Sequence, residues 1–260
     1  MLGNGLYEKF EVPDYSIGLH SSPSIPAGQM GVRAGWSMAN AESVDIKIFG
    51  VGAHGASPHM SVDPVVMASM IVMELQTIVS RSVKPIESAV ITVGAIKGGI
   101  KHNIIPDEVT LKLTVRTFKE EVRMKIRKRI QEIVKGAAIS AGLPEDKHPE
   151  VIFPETFTHA NYNHPMLTEK IIASAQKAIG KDNVLDAEPQ MVAEDFAHYG
   201  QTKEQVPGVL FWLGTVPEAR VQSGDMPGLH SPFYYPDPSR SIETGVTIVT
   251  QAMLDLFNER

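Results

Sequence analysis

Nine histidines are the side chains of this sequence best suited to chemistry, because the chain contains no cysteine. Disulfides, thiolate metal sites and a cysteine nucleophile are therefore excluded, and any metal must be held by His, Asp or Glu. His20 and His230 occupy similar settings, since Gly-Leu-His precedes serine in both GLHSSPSIPAG and GLHSPFYYPD. Each ends a short apolar approach and enters a loop, where metal ligands of α/β folds lie. They are candidate metal ligands, and the alternative is that both are solvated loop residues.

A second group of polar residues lies between these two histidines. His54 and His59 stand five apart in GAHGASPHMSVDP, a loop spacing that argues against mutual chelation. The flanking glycines suit a histidine that must reach an external ligand. Asn103 follows His102 just before a strand, where Pro106 fixes a turn that the asparagine could simply cap.

Two charged residues complete the candidate set. Arg116 stands one step beyond the alternating run VTLKLTV, where a guanidinium could hold a carboxylate through two parallel hydrogen bonds. A surface ion pair with Glu120 or Glu121 is the equal alternative. Glu194 and Asp195 follow an apolar Met-Val-Ala, and in an extended chain their carboxylates point to opposite sides, so one of them could face a crevice.

Composition excludes several classes of protein. The 260 residues carry a net charge of −6, which disfavours nucleic acid, and 43% hydrophobic with 21% charged residues is typical of a globular chain. No apolar run approaches the roughly 18–20 residues that span a bilayer, and the start lacks a signal peptide. We expect a soluble, cytoplasmic protein without a membrane partner. GxGxxG, GxxxxGK[ST], GxSxG and HExxH motifs do not occur.

Hydrophobic periodicity predicts a compact inserted domain over residues 43–155. Its predicted strands are 44–48, 89–96, 109–115 and a short one at 151, and its predicted helices are 64 to about 80–82, capped by Asp63, and 119–141. We expect Met67, Met70, Ile71, Leu75 and Ile78 to line the buried stripe of the first helix. This βαββαβ order is that of a ferredoxin-like fold, an antiparallel sheet with both helices on one face.

The flanking segments 1–42 and 156–260 look like two parts of one α/β domain. The sequence predicts a helix over 165–179, capped by Asn163 or His164, and a strand at 209–213 (VLFWL) that is covered on both faces. A final helix over 241–257 is expected to bury Ile242, Val246, Val249, Met253 and Leu256. The fold class is therefore a partial α/β catalytic domain interrupted by a ferredoxin-like lid.

The ordered segments GLHSSPSIPAG, GAHGASPHMSVDP, HNIIPDEVTLKLTVRT, AEDF and GLHSPFYYPD resemble one family from end to end. It is the zinc-dependent aminoacylase, hippurate hydrolase and auxin-conjugate hydrolase family of metallo-amidohydrolases. The resemblance implies a metallopeptidase-like catalytic domain with two divalent metal ions (zinc, or else manganese or cobalt). It also implies a lid through which two subunits dimerise, and cleavage of the amide bond of an N-acyl amino acid.

The resemblance also assigns roles. His20 and His230 would be metal ligands, and His54 would reach the partner subunit's active site and steady the oxyanion, with Asn103 close to the same site. Arg116 would hold the substrate carboxylate, and Glu194 would lie in the loop lining the substrate crevice.

Family members extend further at the amino terminus, where His-x-Cys-Gly-His-Asp and Gln-Pro-Ala-Glu-Glu supply further ligands and the general base. Neither motif occurs here. We therefore expect a carboxy-terminal two-thirds fragment that binds metal weakly or not at all, turns over little substrate and exposes apolar surface around VLFWL. The alternatives are a non-catalytic dimerising or regulatory remnant and an α/β binding module with incidental histidines.

Overall fold

The chain divides into two compact units in the computed structural model, which describes residues 1–258. Among these residues, unit 1 comprises 1–38, 159–190 and 194–258, and unit 2 comprises 39–158 and 191–193. Residues 39–42 and 156–158 thus lie in unit 2, whereas the sequence places them in the flanking segments.

The strands within residues 1–258 are β1 (Ser16–Pro26), β2 (Met30–Val32), β3 (Gly35–Met38), β4 (Glu42–Phe49), β5 (Ala53–His54), β6 (Ala89–Gly98), β7 (Ile104–Ile105), β8 (Glu108–Thr117), β9 (Glu150–Ile152), β10 (Asn161–Asn163), β11 (Val184–Asp186) and β12 (Gly208–Val216). The α-helices are α1 (Leu6–Lys9), α2 (Pro64–Thr77), α3 (Glu120–Ser140), α4 (Pro165–Ile179), α5 (Glu218–Ser223) and α6 (Pro238–Asn258).

Unit 2 is built on an antiparallel sheet in the order β6-β8-β4-β9. Alternate residues of the central strands, such as Val44 and Ile46 in β4 and Leu111 in β8, point into one core. Helices α2 and α3 bury their apolar faces in that same core. The predicted fold class is confirmed, because the period-two strands and the two amphipathic helices share a single hydrophobic interior.

Helix α2 begins where the sequence predicts. The carboxylate of Asp63 accepts hydrogen bonds from the amides of Val65 and Val66, at 2.8 and 3.4 Å, and Pro64 occupies the first helical position. The helix ends in a π-helical turn over Ile78–Ser82.

The outward side of α2 is apolar. Met70, which the sequence places in the buried stripe, is 49% exposed, and Val66 and Met73 lie beside it in water at 56% and 71%. We call Val66, Met70 and Met73 the α2 outer row. The helical segment Pro64–Ser82 has the length and mean hydropathy of a membrane span by composition, with 28% of that window buried. Its apolar residues thus face two ways, into the core and outward.

An ion-pair cluster lies at the start of β4. The carboxylate oxygen Oε1 of Glu42, whose side chain is fully buried, accepts from Arg123 at 2.8 Å and lies 3.4 Å from Arg127. The guanidinium carbons of Arg123 and Arg127 also lie 3.9 and 4.1 Å from the ring centroids of Phe157 and Phe153. A hydrogen bond with Glu120 and the charge of Glu42 raise the pKa of Arg123 above its ordinary value, so this cation keeps its charge.

Unit 1 contains a sheet in the order β1-β12-β2-β11, in which β1 runs parallel to β12 along an edge. Strand β12 is covered on both faces, as the sequence predicts. Val209, Phe211 and Leu213 belong to one apolar cluster, and Leu210 and Trp212 belong to another. VLFWL itself is buried, because helices α4 and α6 contribute to one cluster and Met38 with Phe196 to the other. Apolar surface is nevertheless exposed around it, at Leu19 of the paired strand β1 and at Ile242 and Val246 of α6.

Helix α6 buries a different face from the predicted one. Its buried residues are Ser241, Thr244, Gly245, Ile248 and Ala252. Ile242, Val246 and Met253 are instead 65%, 60% and 47% exposed, while Val249 and Leu256 are partly buried. Close approach explains the choice, since a Cβ on Gly245 would lie only 3.0 Å from Leu213. Small residues let the helix lie close to the sheet, and larger ones would hold it away.

Glu42→Ala is expected to destabilise the protein by about 1.5–3 kcal/mol, because Arg123 loses its buried partner and keeps only the more exposed Glu120. The measurement is the free energy of unfolding in urea. Asp45→Ala is the matched control, since Asp45 lies on the same strand and its pair with Lys112 is half exposed and contributes about 0–1 kcal/mol. Equal losses for the two variants would contradict a structural role for the cluster.

Candidate functional site

His54 and Asn103 lie side by side at a two-stranded antiparallel pair, β5 and β7, in unit 2. Strand β5 pairs with β7 so that His54 lies opposite Ile104, and the amide of Gly55 donates to the carbonyl of Asn103 at 2.8 Å. The amide of Ala56 donates to Nδ1 of His54 at 3.0 Å. Because Nδ1 accepts, the neutral ring carries its proton on Nε2. The exposed imidazole therefore presents an N–H donor to its surroundings.

The glycines around His54 serve close packing rather than flexibility. A Cβ on Gly52 would lie 2.8 Å from Oδ1 of Asp107 and 2.9 Å from the carbonyl of Ile105, and one on Gly55 would lie 3.1 Å from Asn103. The amide of Gly52 also donates to Asp107 Oδ1 at 2.9 Å. Asp107 was missed in the sequence analysis, and through Gly52 it holds the segment leading into β5 beside the turn that follows β7. The Pro-Asp pair in HNIIPDE is the turn signal that could have revealed it.

Arg116 makes a main-chain contact in unit 2. It lies in β8 opposite Val90, and its Nη1 donates to the carbonyl of Met191 at 2.9 Å. Glu120, one of the two acidic partners considered for it, pairs with Arg123 instead. The guanidinium is partly buried and anchors the segment that precedes Glu194.

Glu194 is a helix-capping residue in unit 1. Its Oε2 accepts a hydrogen bond from the amide of Phe196, which satisfies a first-turn amide of the 3₁₀ helix Asp195–Gln201. One oxygen of this carboxylate is thus committed to the backbone. Its assignment to a substrate crevice stays a prediction.

His20 and His230 both lie in unit 1, in different local settings. His20 is inside β1 and not in a loop after it, and its ring packs edge-on against Trp212 with centroids 5.2 Å apart. Its Nδ1 lies 2.9 Å from the carbonyl of Ser21, so Nδ1 carries the hydrogen and Nε2 keeps a lone pair. Metal-binding imidazoles commonly show this arrangement. His230 is exposed, in the irregular segment between α5 and α6.

The described residues do not complete a metal site. Within residues 1–258, no group of three or more His, Cys, Asp or Glu side chains is placed so that it could hold a metal ion. The lone pair of His20 suits a ligand, but a closed site needs about four. The fit to a metal centre is therefore partial in this stretch of chain.

Residues 38–141 match the family described as the peptidase dimerisation domain, M20_dimer. This match covers most of unit 2 and agrees with its ferredoxin-like architecture.

The whole chain is also similar to named amidohydrolases. It is 37% identical to the N-acetyldiaminopimelate deacetylase of Bacillus subtilis over 253 residues, covering 96% of this chain and 62% of that protein. It is 39% identical to the amidohydrolase YhaA of B. subtilis over 218 residues, covering 84% of this chain and 52% of that one. The chain thus spans about three fifths of the length of the first of these relatives.

Solved structures show the same fold. An aminohydrolase from methicillin-resistant Staphylococcus aureus superposes with a TM-score of 0.80 at 26% identity, covering 98% of this chain and 61% of that one. The YxeP protein of B. subtilis, described as a dinuclear metal-binding peptidase of the M20 family, gives 0.68 at 23% identity, covering 97% and 60%, and supports the fold alone.

The two histidines with resolved hydrogen bonds are expected to be opposite tautomers when neutral. His20 carries its proton on Nδ1 and His54 on Nε2, because a carbonyl accepts from the first ring and an amide donates to the second. Long-range ¹H–¹⁵N correlation spectra of the imidazoles measure this directly. Finding His54 protonated on Nδ1 would contradict the hydrogen bond from the Ala56 amide. The signals of His54 are identified as those that disappear in His54→Ala.

Proposed function

We propose that this chain serves an amidohydrolase that cleaves the amide bond of an N-acyl amino acid or a related amino-acid conjugate in the cytoplasm. The observation that carries the proposal is the exposed Nε2–H donor of His54 beside Asn103, in a chain 37% identical to an N-acetyldiaminopimelate deacetylase. Within the superfamily, the aminoacylase, hippurate hydrolase and auxin-conjugate hydrolase group remains our proposed placement.

The described residues suit recognition and charge stabilisation. In amide hydrolysis water adds to the carbonyl carbon, the C–N bond breaks and the amine leaves with a proton. The Nε2–H of His54 would donate to the oxygen as negative charge develops on it, with Asn103 beside it. Arg116 would bind the carboxylate of the amino acid, since a guanidinium matches a carboxylate with two parallel hydrogen bonds.

His20 and His230 are proposed as ligands of a two-metal centre, zinc being our first choice and manganese or cobalt the others. The free Nε2 lone pair of His20 supports this. His230→Ala is expected to lower bound metal, measured by elemental analysis after dialysis.

Activity is tested by assaying N-acetyldiaminopimelate and N-acetyl and N-benzoyl amino acids with added Zn²⁺, Mn²⁺ or Co²⁺. The assay uses the 260-residue chain and a fusion to the segment of the B. subtilis deacetylase that this chain does not match. In the active form, His54→Ala is expected to lower kcat by about 10²–10³ without loss of metal, because it removes one oxyanion donor. His59→Ala, in the same loop, is the matched control.

Mixing tests whether His54 acts in the partner subunit. Mixed dimers of His54→Ala and His230→Ala subunits would hold one complete site, so re-associated mixtures should recover about a quarter of wild-type activity. No recovery would contradict the action of His54 across subunits. A fusion without hydrolysis would favour the alternative of a non-catalytic dimerising remnant.

We further propose that unit 2 forms a homodimer through β6 and the α2 outer row. Strand β6 is ten residues long and lies at the edge of its sheet, with an open row of backbone donors and acceptors. Helix α2 packs across β6, β8 and β4, whereas α3 packs against β8 and β9, so α2 is the helix nearer to β6, and it presents Val66, Met70 and Met73 to water. Most exposed positions of α3, such as Lys125, Lys128 and Lys135, are charged, and the exposed Met124 and Ile139 are far apart along the helix.

Met73→Glu is expected to weaken this dimer at least about tenfold in Kd, because it places a charge in an apolar interface. Sedimentation equilibrium or light scattering over a concentration series gives the mass. Met124→Glu is the control, since Met124 is similarly exposed, at 50%, but lies on α3. If Met124→Glu dissociates the dimer and Met73→Glu does not, the interface is on the other helix.

A further inference from the structure

Residues 191–193 are a short irregular segment held differently from its neighbours. They cluster with unit 2, whereas residues 190 and 194 cluster with unit 1. At one end the amide of Gln190 donates to the carbonyl of Ser37 at 2.9 Å, and at the other Glu194 caps the helix Asp195–Gln201. Between these two anchors, the carbonyl of Met191 accepts the hydrogen bond of Arg116 at 2.9 Å.

Arg116 holds this segment from a rigid base. Strand β8 is paired on both sides, with β6 through Val90 and with β4 along eight residue pairs. Its inward residues Val109, Leu111 and Val115 are almost completely buried. The segment itself has no regular structure, and Val192 is 45% exposed. A shift in the hydrogen bond would therefore move the segment and not the strand.

The acceptor is weaker than the ligand proposed for the same guanidinium. A peptide carbonyl is neutral and takes one N–H here, whereas a carboxylate is charged and matches the guanidinium with two parallel hydrogen bonds. Both contacts have a charged donor, but only the carboxylate adds an opposite charge and a second parallel hydrogen bond. A carboxylate that reaches Arg116 thus competes directly with Met191.

We propose that Arg116 is a carboxylate-responsive latch on residues 191–193, which releases this segment when its guanidinium turns to a ligand carboxylate. Arg116 is then a positioning residue for the segment that leads into Glu194, in addition to its proposed contact with substrate. The response to carboxylate rests on the proposed function, while the resting contact does not.

Hydrogen–deuterium exchange of the 260-residue chain tests the resting contact. In Arg116→Met, amides of residues 192–196 are expected to exchange about tenfold faster, because one hydrogen bond from a charged donor is lost. Arg116→Lys keeps a cationic donor and should restore most of the protection. Lys112→Ala removes a cation from the same face of β8 and should change nothing in this segment. Unchanged exchange over 109–115 verifies that each variant is folded.

Ligand response is tested with N-acetylglycine, with N-methylacetamide as the probe without a carboxylate, at matched ionic strength. N-acetylglycine should speed exchange at 192–196 in the wild type and not in Arg116→Met, and N-methylacetamide should have no effect. Normal protection in Arg116→Met overturns the latch and leaves the proposed function standing. Fast exchange in Arg116→Met with no response to N-acetylglycine overturns the carboxylate response and also contradicts the substrate role of Arg116.

Discussion

The buried carboxylate of Glu42 is the charge on which the arrangement of unit 2 depends. It stands at the first residue of β4 and is approached by Arg123 and Arg127 from α3. The same two guanidiniums lie over Phe157 and Phe153, in the segment that follows β9. A single carboxylate thereby ties the start of the inner strand, the long helix and the exit of the chain to one point. Of this set, Glu42 is the member that would be left desolvated and unpaired without the others, since Arg123 also pairs with Glu120 and Arg127 is partly exposed.

The candidate site residues of unit 2 are positioned in two different ways. The pair β5–β7 is held by a close backbone approach at Gly52 and by the carboxylate of Asp107, and the amide of Ala56 fixes the tautomer of the His54 imidazole. The backbone of Arg116 is fixed in the paired strand β8, and its guanidinium, at the end of a long side chain, contacts an irregular segment. The fixed imidazole of His54 suits charge stabilisation, which needs a donor already in place. The single hydrogen bond of Arg116 suits binding, which needs a guanidinium that can change its partner.

The strands and helices of unit 2 could be predicted because their signals are local. Alternation in VTLKLTV and the Asp-Pro start of α2 specify the backbone without knowledge of distant residues. The buried face of α6 could not be predicted the same way, because Gly245 and Ala252 are chosen by how closely the helix approaches β12. Apolar residues at helical spacing indicate a stripe, and packing distance decides which stripe turns inward.

The site residues show the same division. The residues themselves predict two separate loops for His54 and Asn103, and the pairing of β5 with β7 that brings them together joins segments about fifty residues apart. The acceptor of Arg116 is a main-chain carbonyl 75 positions away, and every residue carries such a carbonyl, so no sequence pattern marks it. The pairing of Glu42 with Arg123, 81 positions apart, could not be predicted either, because 30 acidic and 24 basic residues offer many possible pairs. The resemblance that ordered motifs supply assigns roles to such residues, but it does not give their contacts.

Strand β1 forms an edge of the sheet of unit 1, and helix α6 exposes apolar residues beside it. Eleven residues of extended backbone lie at a sheet border, and Ile242, Val246 and Phe257 are in water on the neighbouring helix. An edge strand of this kind can pair with a further strand, and the exposed apolar residues of the neighbouring helix favour such pairing. Within the described residues, this border is therefore the place where the sheet of unit 1 can accept a further strand, whether from the same polypeptide or from another copy.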